Sequence, residues 1–324
     1  MKTQQSIGID VGKSELATCI RRPDGTTMAT VFFPNTDTGL KKFIVHLNKH
    51  SVSKESPILL ESTGPYHWKA ASTLAKKGYF SKVVNPLHTK QILRHSIRKR
   101  KTDKVDASHL AFLASQEYGY KFVETEEMAR KKALVRYCWN SRAVATRCLV
   151  REKYMKEYRG GVSDEYLISS LIVEKCEELK KEIVKQWSKG NDLRYLDSIP
   201  GVSPFIAATI LAELTPLDRF KRIDQIIAFS GLDPSVKQSG GKPDRHGSLS
   251  KRGSPILRGA LFLAAFGAFA KPGPMRTLYM QYKKRGMHHS AILCILGRKI
   301  LRTSVALLRT RQEFDLFKFL STGG

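Results

Sequence analysis

The chain has 324 residues, with 56 Lys and Arg against 29 Asp and Glu, a formal charge of +27 at pH 7. At ~150 residues per domain this length predicts about two domains, and a 41 % hydrophobic content supplies ordinary cores, which excludes disorder as the main state. The longest apolar run, Ala260 to Ala270, falls short of the ~18 residues that span a bilayer, and the start is read as carrying no apolar signal segment. Five scattered cysteines, Cys19, Cys138, Cys148, Cys176 and Cys294, form no C-x-x-C pair. They exclude a disulfide scaffold or a Cys-rich zinc module and point to a reducing cytosol. So large a positive charge calls for a polyanionic partner, nucleic acid before a membrane surface, since no basic amphipathic anchor stands out.

Ser6 to Val11 reads as a short buried strand. Leu16 to Arg21 is joined to Thr27 to Phe33 through the turn signal Arg22-Pro23-Asp24-Gly25, giving three consecutive antiparallel strands. Leu40, Phe43, Ile44 and Leu47 have helical spacing, Pro57 to Glu61 is a buried strand ending at a carboxylate, and Tyr66 to Lys77 is a helix. A strand near Ser81 to Val84 and a helix from Asp103 to Ala114 complete an α/β domain, placed at 1–125.

Glu126 to Tyr158 has neither Pro nor Gly, and small or apolar residues recur at Leu134, Cys138, Ser141, Ala145 and Cys148. After Gly160-Gly161 the pattern resumes at Ile168, Ile172, Cys176, Leu179, Ile183 and Trp187. These spacings fit either a coiled-coil hairpin or two amphipathic core helices of a larger domain, a connector placed at 126–190. The third region, 191–324, is mainly α. Ile199-Pro200-Gly201 leads into the apolar run Pro204 to Leu214, a helix-hairpin-helix-like arrangement whose turn amides could grip a phosphate. From Gly240 to Gln312 there are fifteen Lys and Arg against the single carboxylate of Asp244, a net of +14. A solvated face is rarely so poor in balancing acids, so this region reads as a phosphate-backbone binder.

The candidate chemistry lies in four carboxylates. Asp10 sits within an apolar strand, where an uncompensated carboxylate is expensive. Glu61 ends another apolar strand. Asp103 and Asp106, three apart at a helix start, project from one face. Singly, each reads as a cap or a helix-dipole charge. On this element order the four could converge on Mg²⁺, and a two-metal site can stabilise both oxygens of a phosphoryl transfer. Lys90, Arg94, Arg98, Lys99, Arg100, Lys101 and Lys104 surround the last pair with charge suited to phosphates. His88, His95, His109 and His246 read as helix-face or phosphate-side residues.

Ile7-Gly8-Ile9-Asp10-Val11-Gly12-Lys13, Leu60-Glu61-Ser62-Thr63-Gly64, Asn85-Pro86 and Lys101-Thr102-Asp103-Lys104-Val105-Asp106-Ala107 resemble the RuvC-like, RNase H-fold domain of bacterial insertion-sequence transposases with a DEDD motif. The likeness continues through Ile199-Pro200-Gly201, Phe229-Ser230-Gly231-Leu232-Asp233-Pro234, Ser239-Gly240, Gly247 to Gly253 and Leu257-Arg258, covering nearly the whole chain. This family is known as bridge-RNA-guided recombinases. The resemblance implies that Asp10, Glu61, Asp103 and Asp106 bind Mg²⁺ and that Ser239 is a nucleophile forming a covalent 5′-phosphoserine link. It implies donor and target DNA and a structured bridge RNA as partners, a dimer to tetramer, no membrane, and a cytoplasmic, nucleoid-associated setting. Lys251, Arg252 and Arg258 join the nucleic-acid-binding candidates. On the residues alone a Ser beside two glycines is ordinarily a loop residue, and Ser248, Ser250 and Ser254 compete with Ser239. The alternative is a RuvC-like nuclease or Holliday-junction resolvase in which water replaces the serine. An actin-like ATPase or sugar kinase shares the first strand but would need a second Asp-x-Gly phosphate loop, and a non-catalytic RNA-binding protein would keep the fold without strand exchange.

Overall fold

The structure is a computed structural model that describes residues 4–62, 64, 66–86, 89–90, 103–159, 164–237 and 245–316. Side chains 103–104, 155–157, 159, 234–237 and 245–248 lie outside that description. Chain contacts divide it into two compact units, 1–126 and 127–324.

The first unit is a mixed six-stranded sheet. Its strands are β1 (Ser6–Val11), β2 (Glu15–Arg21), β3 (Val31–Pro34), β4 (Ile58–Glu61), β5 (Ser81–Val84) and β6 (Tyr120–Lys121), in the order β3-β2-β1-β4-β5-β6. β1, β2 and β3 pair antiparallel, as the turn at Pro23-Asp24-Gly25 predicts. β4 and β5 run parallel to β1, and β6 closes the edge antiparallel to β5. The third strand starts later than expected: Thr27 makes only an isolated bridge to Arg21 before Val31 enters the sheet. β6, two residues long, is too short to leave any periodicity in the sequence.

Helices cover both faces, so β4 reads as the unbroken apolar run Ile58-Leu59-Leu60 rather than as an alternation. On one side Ile7, Ile9, Val11, Ile58, Leu60 and Val83 form a core with Leu40, Phe43 and Leu47 of α1 (Asp37–Lys49) and with Ala70, Ala71 and Leu74 of α2 (Tyr66–Lys76). On the other, Leu59 and Val84 meet Leu110, Leu113 and Ala114 of α3 (Asp103–Ser115), while Ala17 and Cys19 meet Ala107 and Ala111. Small residues at that second contact let α3 lie close to the strands.

The second unit is helical. It contains most of α4 (Glu126–Arg159), then α5 (Asp164–Trp187), α6 (Asp192–Asp197), α7 (Pro204–Leu214), α8 (Ile223–Ser230), α9 (Pro255–Ala270), α10 (Pro274–Lys284) and α11 (His289–Thr310). Val135, Cys138, Cys176 and Ile183 of α4 and α5 belong to the same core as α7, α9 and α11, so this part of the pair behaves as core helices. Farther out, Tyr154, Ile168 and Leu171 are exposed, and Ile168 is not buried as a seam residue would be. The turn before α7 is also packed: a Cβ on Gly201, at φ +88°, would stand 2.4 Å from the Ala264 carbonyl oxygen. A hairpin not expected from the sequence, β7 (Pro234–Lys237) with β8 (Arg245–Leu249), interrupts the helices. Among the described residues no single helix is long and apolar enough to cross a membrane.

Candidate active site

β1 and β4 are parallel with Ile7 opposite Ile58, Gly8 opposite Leu59 and Ile9 opposite Leu60. One residue farther, Asp10 and Glu61 occupy matching positions at the ends of neighbouring strands. Side chains alternate along a strand, and Ile9 and Leu60 face the α1–α2 core. Asp10 and Glu61 therefore project to the α3 face, from positions ~4.8 Å apart in the hydrogen-bonding direction. Both are half-buried.

Gly8 sets the path of α3. A Cβ there would lie 2.1 Å from the Ala111 nitrogen and 2.2 Å from the Ala107 carbonyl oxygen, so only glycine admits the helix at this depth. The Ser6 hydroxyl donates to the Ala111 carbonyl at 2.9 Å, fixing the same contact two residues back. The helix thus runs antiparallel to β1: Ser6 meets Ala111, Gly8 meets Ala107, and the first turn, carrying Asp103 and Asp106, heads towards the strand end where Asp10 stands. Asp106 is half-buried; the Asp103 carboxylate lies outside the described residues.

Two polar residues that sequence reasoning missed make hydrogen bonds near the ends of these strands. Thr89 is buried and donates its hydroxyl to Glu61 Oε1, with the Pro86 carbonyl oxygen also within reach of Oγ1 at 3.0 Å. Asn35 donates from Nδ2 to the carbonyls of Gly12 and Tyr66. Neither stands in a motif, and a hydrogen bond to a residue far along the chain leaves no periodic mark. Among the described residues no three His, Cys, Asp or Glu side chains form a group able to hold a metal. The donor set placed along this edge, Asp10, Glu61 and Asp106, is nevertheless all carboxylate oxygen, the chemistry that hard divalent cations such as Mg²⁺ require.

In the second unit Ser239 lies outside the described residues, in the segment between the end of β7 and the start of β8. Two of its competitors are engaged elsewhere. Ser250 donates to Asp233 Oδ1 at 2.5 Å, and Ser254 caps α9, accepting from the Leu257 N–H at 3.1 Å. The Ser248 side chain is not described. Lys251, at φ +53°, and Arg252 are exposed on the loop entering α9. Arg258 is half-buried and donates from Nη1 to the Ser230 carbonyl at 3.2 Å, which ties it to the end of α8. That loop is tightly laid, since a Cβ on Gly253 would meet the Phe229 carbonyl oxygen at 1.8 Å. Of the basic group near Asp106, Lys90 is exposed, while Arg94, Arg98, Lys99, Arg100, Lys101 and the Lys104 side chain lie outside the described residues, as do His88 and His95.

In the second unit a buried acid is paired with a half-exposed arginine. Glu213, fully buried on α7, accepts from Arg136 Nε at 2.6 Å and Nη2 at 2.9 Å. Burial alone would raise its carboxyl, but the Arg136 hydrogen bonds and charge, with help from Ser254, hold it below the usual carboxylate range. Cys138, against Cys176 across α4 and α5, is pushed up to about 11, chiefly by burial.

Residues 7–151 match a family model described as transposase, and residues 193–280 match one described as transposase, IS116/IS110/IS902 family. The pilin gene-inverting protein of Moraxella bovis is 22 % identical over 314 residues, covering 95 % of this chain and 97 % of that protein. The transposase for insertion sequence element IS1111A of Coxiella burnetii is 32 % identical over 139 residues, 41 % of this chain and 37 % of that protein. Among solved structures, T. thermophilus RuvC in complex with Holliday junction substrate aligns with a TM-score of 0.28 at 12 % identity, over 37 % of this chain and 99 % of that one. The two family models lie one after the other along the same chain, and it belongs to the IS110/IS116 family of transposases.

Proposed function

We propose that this transposase cuts and rejoins donor and target DNA through a covalent 5′-phosphoserine intermediate on Ser239, with Mg²⁺ held by Asp10, Glu61, Asp103 and Asp106 and a structured RNA choosing the sites. The observation that carries the metal half is the matched placement of Asp10 and Glu61 on one sheet face, with the first turn of α3 directed towards them. An RNase H-like reading of the first unit rests on its strand order, β3-β2-β1-β4-β5, with the first three antiparallel and the next two parallel to β1. Support for rearrangement of DNA comes from relatives named as pilin gene-inverting proteins that align along almost the whole chain.

In the proposed reaction the Ser239 Oγ–P bond forms as the P–O3′ bond breaks; the serine proton departs and the 3′ oxygen gains one. Attack of another strand's 3′-hydroxyl on the phosphoserine reverses these changes, so rejoining consumes no external energy source. A serine hydroxyl is a poor nucleophile until deprotonated. Bound Mg²⁺ supplies Lewis-acid stabilisation of the entering and leaving oxygens. The lysines and arginines, in excess by 27, hold the phosphate backbones and give binding a steep salt dependence. So much charge with little base-reading apparatus suits recognition delegated to RNA pairing, as in other guided systems.

Denaturing electrophoresis after incubation with DNA, Mg²⁺ and co-purified RNA tests the reading. A protein–DNA adduct that disappears in Ser239→Ala is the expected result. Cleavage that persists in Ser239→Ala without any adduct would instead assign the chain a hydrolytic, water-using mechanism.

A further inference from the structure

Asn35 follows β3 and reaches both the turn after Asp10 and the start of α2, the helix that follows Glu61. Its Nδ2 donates to the carbonyl oxygen of Gly12 at 3.2 Å and to that of Tyr66 at 3.2 Å. Gly12 lies two residues beyond Asp10, and Tyr66 opens α2, five residues beyond Glu61. The Asn35 backbone N–H also donates to the Ser14 carbonyl at 2.8 Å, which pins the β1–β2 turn from the same residue. Asn35 is itself held: Thr36 caps α1 by accepting from the Gly39 N–H at 3.1 Å, and a Cβ on Gly39 would stand 2.0 Å from the Pro34 carbonyl oxygen. Helix α1 therefore starts hard against the residue preceding Asn35.

The spacing of Asp10 and Glu61 depends on how the chain that continues from each of the two neighbouring strands is held. Resting on the magnesium reading above, we infer that Asn35 is a positioning residue: its amide ties the turn after β1, at Gly12, to the first residue of α2, and so keeps Asp10 and Glu61 at a fixed spacing before a cation arrives. A primary amide can do this because its two N–H groups serve two carbonyl acceptors at once. An aliphatic side chain would leave both carbonyls unbridged.

The test is calorimetric titration of the full chain with MgCl₂, for the wild type, Asn35→Ala, Asn35→Leu and Asp10→Asn, alongside strand cleavage as a function of Mg²⁺. Two lost hydrogen bonds predict that the Asn35 variants need about tenfold more Mg²⁺ for half-saturation. Their cleavage should recover towards the wild-type rate at saturating Mg²⁺, with nucleic-acid affinity and circular dichroism unchanged. Wild-type Mg²⁺ affinity in both Asn35 variants would overturn the inference. So would loss of folding shared by Asn35→Ala and the volume-keeping Asn35→Leu, since Asn35 would then be structural. If Asp10→Asn binds Mg²⁺ as well as the wild type does, it is the underlying metal reading that fails.

Discussion

Glu61 in the first unit and Glu213 in the second both follow apolar runs, and both accept hydrogen bonds, yet their surroundings differ in kind. Glu213 is 0 % exposed and is met by a bidentate guanidinium, so its charge is cancelled where it stands. Glu61 is half-buried, is met by the neutral hydroxyl of Thr89, and has another acid, Asp10, at the matching position of the next strand. An acid opposite an arginine is complete and serves architecture. Two acids side by side on one sheet face offer the carboxylate oxygens that a divalent cation binds, and a catalytic site can use that arrangement.

The sharpest way to break this contrast is to neutralise each glutamate in turn. Glu61→Gln should lower strand cleavage by about 10³-fold or more, some 4 kcal/mol of barrier, while leaving nucleic-acid affinity near that of the wild type. Glu213→Gln should change stability and leave cleavage per folded molecule within about threefold, as expected of an acid already paired with an arginine. Single-turnover cleavage, normalised to the folded fraction, reads both. Equal losses of cleavage in the two variants would dissolve the distinction.

Much of the first unit was legible because its signals are local. Ile7 to Val11 and Pro57 to Glu61 are short apolar runs, and Pro23-Asp24-Gly25 is a turn, so strands, order and the acids at their ends could be read directly. Gly8 was visible as a letter but not as a reason; only the nearness of Ala107 and Ala111 shows why a side chain is excluded there. Asn35 and Thr89 were not picked out because their hydrogen bonds run to residues 23 to 31 positions away. In the second unit the long helices were plain, but whether Cys138 and Cys176 face a coiled-coil partner or a larger core depends on α7, α9 and α11, which no spacing within α4 and α5 can reveal. The β7–β8 hairpin was hidden by a segment rich in Gly, Ser and charge.

The pair on the architectural side makes a second prediction. Arg136→Ala leaves Glu213 buried without its cation, a change that costs ~3–5 kcal/mol when both partners are buried. The Arg136 side chain is 45 % exposed, so solvent screens part of the interaction and a loss near ~3 kcal/mol is expected. Because the folded-state carboxyl is held below its usual value, the pair's contribution is present above the unfolded pKa of ~4.3. It disappears as pH falls through the lower folded value. Urea denaturation should therefore show a wild-type advantage that is full near neutral pH and shrinks under strong acid; an advantage that grew on acidification would have the wrong sign.

The smallest expected effect concerns what holds the acids together rather than the acids themselves. Gly8→Ala adds one methyl group whose nearest neighbours would be backbone atoms of α3 at 2.1 and 2.2 Å, and backbone cannot rotate aside. The helix must lift, an overpacking cost of ~1–3 kcal/mol, and because α3 carries Asp103 and Asp106 the same shift should weaken Mg²⁺ binding. Gly190 supplies the control in the other unit: its added Cβ meets nothing within 4 Å and its φ lies outside the left-handed region. Gly190→Ala should therefore be neutral or stabilising by up to ~1 kcal/mol. Denaturation midpoints and Mg²⁺ titrations on the two variants separate a glycine kept for close approach from one kept for nothing in particular. If Gly8→Ala matched Gly190→Ala in both, α3 would not rest on β1 at that depth, and the direction of its acids towards Asp10 would lose its physical cause.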